Sequence, residues 1–209
     1  VTAEYSGRRR LLIATGSAHK LAELRELLDL PNTDLVSLAD VGIDDGVDET
    51  GATFEDNARL KAVHYGRASG LPTLADDSGI EVDALGGRPG VKTRRYAGAN
   101  ATDDQNNRKL LGELSDFFGP DERTGRYQCV LVFFDDGDVV ETTRGTWEGR
   151  VTFAPRGKGG FGYDPIFEPL TEPAGGRTVG QLSADEKNQS SHRAQAAHAM
   201  RDLLIARGY

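Results

Sequence analysis

A single cysteine among 209 residues permits no internal disulfide. The fold must therefore rest on its core, as suits a reducing compartment. Cys129 itself opens an apolar run, Cys129-Val-Leu-Val-Phe-Phe134, and reads as a small buried hydrophobe. Long apolar runs are also missing, and crossing a bilayer takes about 20 such residues. Arg8-Arg9-Arg10 ahead of Leu11-Leu12-Ile13-Ala14 has the outline of a signal peptide. Its apolar stretch is too short, however, and Gly16 and Lys20 follow at once. The expectation is a cytoplasmic protein with no membrane partner. There is no basic tail or stripe either: 25 Lys and Arg stand against 33 Asp and Glu, a net charge of −8. Non-specific duplex binding is disfavoured, and no nucleic-acid partner is expected. A small phosphorylated ligand is still compatible, because a few lysines with a bound cation make a cleft locally positive on an acidic protein.

What the chain does have is an ordinary globular composition. The apolar share is 37%; adding the 26 glycines and setting aside the 6 tyrosines brings it to about 46%. One domain over 10–206 is expected, with 1–9 a flexible leader. Leu11–Ala14 reads as a buried strand, and Leu21, Leu24, Leu27 and Leu28 recur at helical spacing behind it, up to Pro31. Residues 34–38 read as a second strand and the acidic stretch 40–51 as a loop. Thr53-Phe-Glu-Asp56 predicts a capping box opening a helix to Ser69, with Gly70 past its end. Leu74-Ala75 predicts a short strand ending in Asp76-Asp77-Ser78-Gly79, with Ile80–Val82 its continuation or a hairpin partner. Thr102 caps another helix. Residues 126–135 and 139–146 predict a hairpin about Asp136-Gly137, and Gly149–Phe153 a third antiparallel strand. Gly157–Gly162 is too glycine-rich for regular structure, and 168–177 reads as a loop. Ser183–Arg207 reads as helix with a break near Ser190-Ser191. The fold class expected is α/β: an elongated mixed sheet flanked by helices, in two lobes around a central substrate cleft.

Several of these elements end in chemistry. Thr15-Gly-Ser-Ala-His-Lys20 joins a strand to a helix, where free amides favour an anion and Lys20 adds a charge. An ordinary turn with a surface lysine explains the same residues, and the second glycine and Lys-Ser/Thr pair of a Walker A loop are absent. Asp76-Asp77 and Asp48-Glu49 are hard oxygen donors of the kind that hold Mg²⁺ beside phosphates, one carboxylate holding metal while a neighbour takes a proton. A solvated loop and an Asx-rich turn are the plainer explanations. Phe161 and Tyr163, split by Gly162, are placed to enclose a planar base or to anchor a loop. Lys187, His192 and Arg193 lie near helix starts, where cations are disfavoured unless an anionic or carbonyl ligand faces them.

Each motif is weak alone, but their order is specific. Ala14–Lys20, Glu49-Thr-Gly-Ala-Thr-Phe54 with Asn57 and Lys61, and Leu74–Gly79 come first. Leu85–Gly90, Arg95–Gly98, Phe161–Phe167, and Lys187-Asn188 with Ser191-His-Arg193 follow. The set resembles the inosine triphosphate pyrophosphatase (dITP/XTP pyrophosphatase) family over about 10–206. That resemblance implies a Mg²⁺-dependent homodimer that removes deaminated purines from the precursor pool. It would hydrolyse ITP, dITP and XTP to the monophosphate and pyrophosphate. Carried over by position, Thr15, Gly16, Ser17, Ala18, His19 and Lys20 would hold the triphosphate. Glu49 and Asp77 would hold metal with Asp76 as a helper, and Asp77 would be the proton acceptor. Ser78 would touch substrate, and Lys61 and Lys187 would neutralise phosphate. Phe161, Gly162, Tyr163 and Asp164 would enclose the base, and His192 and Arg193 would read its 6-oxo group. Ser17 stands where the family usually has Asn, and His19 where it commonly has Gly. Two rivals are a triphosphate pyrophosphatase for other bases and a sensor that binds without hydrolysis; a sensor has no use for Asp77 as a base.

Overall fold

Leu11, Leu12, Ile13 and Ala14 are all fully buried, the mark of a parallel strand covered on both faces. In the computed structural model, which describes residues 8–209, this strand is β1 (Arg9–Ala14). It begins at Arg9, inside the expected leader; the leader's residues 1–7 lie outside the described residues. The remaining strands are β2 (Thr33–Ser37), β3 (Thr73–Val82), β4 (Thr124–Asp135), β5 (Asp138–Val151) and β6 (Phe167–Pro169). They form one six-stranded mixed sheet in the order β2-β1-β3-β4-β5-β6. β1 is parallel to β2 and β3; the remaining pairs are antiparallel.

The helices follow their local signals. They are α1 (Ala18–Leu28), α2 (Phe54–Ser69), α3 (Asp103–Glu113), α4 (Ala184–Ser190) and α5 (His192–Ala206). α2 opens on the expected capping box, Thr53 with Asp56, and closes on Gly70 in the left-handed conformation at φ 65°. Ser191 is both the last cap of α4 and the first of α5, which is the break foreseen at Ser190-Ser191. Asp136 and Gly137 both take positive φ, 51° and 84°, as a tight hairpin turn requires.

Three strand readings need correction. Leu74-Ala75 is no short strand closed by a turn; of the two readings of Ile80–Val82, the continuation holds. β3 runs unbroken through Asp76, Asp77 and Ser78 to Val82, paired with β4 along its whole length. Gly149–Phe153 is not a separate third strand. β5 continues through Gly145 and Gly149 to Val151. Those glycines are there for clearance: a Cβ on Gly145 would lie 2.0 Å from the His192 carbonyl, and one on Gly149 would lie 2.3 Å from the Phe167 ring. The third strand of the meander is β6, whose Glu168 and Pro169 fall in what reads as the start of the 168–177 loop.

Alternation along the strands divides the core. Leu11, Ile13, Leu74, Cys129, Leu131 and Phe133 pack with α1 and α5 on one face. Leu12, Ala14, Ala75, Val130 and Val132 pack with α2 on the other. Beyond the end of β1 a separate cluster joins Ile80, Val82, Tyr127, Trp147 and Phe167 to Leu110 and Leu114. The two lobes lie along one sheet, and the cleft opens where β1 stops short of β3.

Candidate active site

β1 pairs with β3 only as far as Ala14 and Ala75. The next residues of β3 therefore lose their neighbour on that side, at the carboxyl end of parallel strands where ligands of open α/β sheets bind. A cleft of about 450 Å³ occupies this place, lined by Thr15–Ser17, His19, Lys20, Glu49, Lys61, Asp77, Ser78, Phe161–Asp164, Lys187, His192 and Arg193, among others. Nearly every residue expected at the site is thus on one wall or another. Ala18 and Asp76 are the two whose side chains do not line it.

The strand geometry explains Asp76. Neighbouring residues of a strand point to opposite faces, so Asp76 and Asp77 do not act as a pair on one face. Asp77 turns toward α2. Its Oδ1 accepts from Lys61 Nζ at 3.1 Å and its Oδ2 from Asn57 Nδ2 at 3.3 Å. The same ammonium lies 2.9 Å from Glu49 Oε1. Burial raises the Asp77 carboxyl above the usual aspartate range; Lys61 and Lys20 pull it down, but Glu49 and Asp76 push with the burial, and the net direction is up. Burial lowers the Lys61 ammonium, and Asp77, Asp76 and Glu49 more than reverse that.

Asp76 turns toward α1 and α5. Its Oδ2 is 2.8 Å from Lys20 Nζ and 3.8 Å from Arg193 Nη2. Burial would raise this carboxyl; Lys20, Arg193 and Lys61 outweigh it and hold it far below the usual range. Its Oδ1 has no hydrogen-bond partner among the described residues. The β1–α1 turn ends in a capped helix start. Ser17 caps α1 by accepting from the Lys20 amide at 3.4 Å, which leaves the first-turn amides of Ala18 and His19 without a helical partner. The His19 ring does not stay with them. It stacks on Phe161 with centroids 5.1 Å apart and planes 10° apart, at the Phe161 end of the cleft.

That end is organised around a residue the sequence reading passed over. Glu23 accepts from Arg193 Nη1 at 2.5 Å and pairs with Lys187 Nζ at 2.9 Å. Burial would raise its carboxyl, but Arg193 and Lys187 bring it below the usual range. Lys187 also reaches Asp164 Oδ2 at 2.8 Å, and Arg193 Nη2 donates to Ser78 Oγ at 2.8 Å. Tyr127, likewise unanticipated, donates to Asp164 Oδ1 at 3.1 Å, and His192 stacks on its ring at 4.7 Å. A signal for Glu23 was present: it follows Lys20 by three residues, one turn along the same face of a helix.

His192 is 4% exposed. Burial first, then Arg193 and Lys187, holds its imidazole well below the ordinary value, so it is neutral at pH 7. Its Nδ1 has no hydrogen-bond partner among the described residues, and the ring lines the cleft. Unfolding releases this histidine to protonate near its ordinary pKa of about 6.5, so the unfolded state binds more protons below that pH. Stability is expected to fall as pH drops below about 6.5, by about 1.4 kcal/mol per unit from this group. Urea titrations of wild type and His192→Gln at pH 7.5 and 5.5 check it. Equal losses in the two proteins contradict it.

A model of the Ham1 family matches residues 11–203. The dITP/XTP pyrophosphatase of Shigella flexneri is 44% identical over 198 residues, covering 94% of this chain and 98% of that protein. The protein of the same name from Escherichia coli O157:H7 is 43% identical over the same span and coverage. A HAM1 protein structure from Coxiella burnetii superposes with a TM-score of 0.83 at 38% identity, covering 95% of this chain and 99% of that one. The Staphylococcus aureus Ham1 protein gives 0.82 at 34%, covering 95% and 100%.

Proposed function

The chain belongs to the Ham1 family, and from that premise we propose that it hydrolyses dITP, ITP and XTP to the nucleoside monophosphate and pyrophosphate. The observation that carries the reading is the division of the one cleft. A buried carboxylate held by a lysine, Asp77 with Lys61, lies at one end. At the other lies an aromatic face, Phe161, with Lys187 Nζ 4.6 Å and Arg193 Cζ 5.7 Å from its ring centre. A nucleoside triphosphate has the same two ends. The names of the relatives agree with it.

In this reading the base stacks on Phe161 and the triphosphate runs to the β1–α1 turn, where Lys20 and the amides of Ala18 and His19 take anionic oxygens. Asp77 accepts a proton from the attacking water. The new bond forms at the α-phosphorus, and the bond from it to the bridging oxygen breaks. Pyrophosphate carries the electron pair away. Such a transfer needs positioning and charge neutralisation more than covalent catalysis. A hypoxanthine or xanthine 6-oxo group accepts hydrogen bonds from the His192–Arg193 corner, whereas the adenine amino group leaves those donors unpaired. One buried unpaired donor costs about 1–3 kcal/mol.

The donor set also fits Mg²⁺. Among the described residues no three His, Cys, Asp or Glu side chains converge into a ready-made centre. Glu49 and Asp77 nevertheless already converge on one positive charge, the Lys61 ammonium. Lys20, Lys61, Lys187 and Arg193 are each engaged by a carboxylate before any phosphate arrives, so a triphosphate needs further neutralisation. Glu49 and Asp77 would hold the ion, which supplies that charge and polarises phosphoryl oxygens. A homodimer belongs to the same reading. Phe118 and Phe153, 78% and 60% exposed, offer apolar surface of the kind that pairs protomers; sedimentation as a monomer would remove this part. Among the described residues no helix is long and apolar enough to cross a membrane, in keeping with the cytoplasmic location proposed.

The test is pyrophosphate release from XTP, ITP, dITP, GTP, ATP and dUTP, with and without Mg²⁺. The reading predicts metal-dependent release from the first three, with ATP at least about tenfold slower (about 1.4 kcal/mol). Comparable rates on all six contradict the selectivity. Binding without release contradicts the reaction.

A further inference from the structure

Asp77 is held at both oxygens from one helix. Lys61 reaches Oδ1, and Asn57, four residues earlier and so on the same face of α2, reaches Oδ2. We propose that Asn57 is a positioning residue for the reaction: it fixes the rotation of the Asp77 carboxylate and registers the Glu49 loop against it. The inference rests on the reading of Asp77 as proton acceptor.

Three observations carry it. First, Asn57 is fully buried and its side chain spans two elements of the site. Its Oδ1 accepts from the Gly51 amide at 2.7 Å while its Nδ2 donates to Asp77. Gly51 lies two residues from Glu49, the other carboxylate on Lys61. Second, the orientation of the amide is fixed by chemistry. A backbone N–H can only donate, so the oxygen must face Gly51 and the NH₂ must face the carboxylate. Third, the fit leaves no slack. A Cβ on Gly51 would lie 2.6 Å from Asn57 Oδ1 and 2.9 Å from its backbone nitrogen, so residue 51 has to be glycine for the loop to come this close. The bond to Asn57 uses one lone pair of Oδ2, and each Asp77 oxygen keeps a second one for a proton. Without it, the carboxylate turns about its Cβ–Cγ bond with Lys61 as its one anchor. Asn57 does not line the cleft, so its effect on substrate must pass through Asp77 and the loop.

The experiment is a double-mutant cycle on the full chain at saturating Mg²⁺ with XTP. Asn57→Leu removes the acceptor for Gly51 and the donor to Asp77 at nearly the same volume and without adding charge; Asn57→Ala removes both and the volume as well. Each is expected to lower kcat about 10- to 100-fold, as loss of one hydrogen bond to a charged group does, with KM within about threefold. In an Asp77→Asn background, Asn57→Ala is expected to change kcat less than about threefold, because the carboxylate it positions is gone. A purely structural role predicts the opposite: the same fractional loss in both backgrounds, or KM and kcat moving together. Either result overturns the proposal. A readout independent of turnover accompanies the cycle. The Asn57 side-chain NH₂ resonances are expected to shift in Asp77→Asn, and the Gly51 amide to shift in Asn57→Ala. Absence of both shifts overturns the proposal even in a protein that hydrolyses XTP. An inactive wild type that shows both shifts instead removes the reaction assigned to Asp77 and leaves the clamp standing.

Discussion

Asp77→Asn is expected to lower kcat on XTP by about 10²- to 10⁴-fold, the range a positioned general base supplies, while nucleotide binding stays within a few fold. The substitution is nearly isosteric, so the reason lies in chemistry and not in packing. The single amide oxygen still accepts from Lys61, which also keeps Glu49 at 2.9 Å; the bond from Asn57 is lost, because the new NH₂ can only donate. What is lost is the capacity to take a proton from water, in a carboxyl that burial has already raised toward greater basicity. Asp77 is also proposed to hold metal, so the measurement is single-turnover hydrolysis at several Mg²⁺ concentrations. Loss that persists at saturating metal belongs to the base. Turnover within about threefold of wild type would remove Asp77 from that role, and full recovery with added Mg²⁺ would leave it as a ligand alone.

The second large effect is expected at Arg193, in stability and selectivity together. Its side chain is 1% exposed and sits between Glu23 at 2.5 Å, Ser78 at 2.8 Å and Asp76 at 3.8 Å. Arg193→Met takes one of two cations from each of two carboxylates inside the protein, leaving Glu23 with Lys187 and Asp76 with Lys20. Breaking a buried pair from one side costs about 3–5 kcal/mol when the charge is left alone; with the two lysines remaining, the lower end of about 3 kcal/mol is expected, in a chain of this size a fall in Tm of roughly 6–12 °C. Below that temperature, kcat/KM for XTP is expected to fall at least about tenfold more than for ATP, since loss of one buried donor matters only to a base that accepts from it. Arg193→Lys separates the two effects. It keeps the charge but not the planar fork, so stability should largely return while the XTP-to-ATP ratio does not. An unchanged ratio in both variants would confine Arg193 to holding Glu23 and Asp76 in place.

These two residues also show how differently parts of the site could be read. Arg193 stands in a motif, Ser191-His-Arg193, at a helix start where a cation is out of place unless something faces it. Its position in the chain order was legible, and so was that of Asp77. The partners were not. Glu23 is 170 residues from Arg193 and belongs to no motif; its identity as the counter-ion emerges only when α1 and α5 pack on the same sheet face. Asn57 was visible within a motif but without a role, because the role depends on which strand residue α2 covers. The Asp76-Asp77 doublet was misleading in the opposite way. Adjacent in sequence, the two suggest a shared task at a strand end. In the fold they face opposite sides of a strand interior, one toward Lys20 and Arg193, the other toward Lys61 and Glu49.

The sequence by itself determined what is settled within a turn or two of chain. It set the capping boxes at Thr53 and Thr102, the stop at Gly70, the hairpin at Asp136-Gly137, the break at Ser191, and the order of motifs that marks the family. Those signals are local, because a cap or turn involves atoms three or four residues apart. The tertiary structure alone decided the length of β3 and β5, where Asp76-Asp77-Ser78 and the glycines read as interruptions. There the strand is held by ten residues of pairing with β4 and, at Gly145 and Gly149, by close approach of α5 and β6. It alone decided which charges meet in the cleft. Register and packing are properties of the whole sheet, and which side chains face each other across it is fixed only when every strand has found its place.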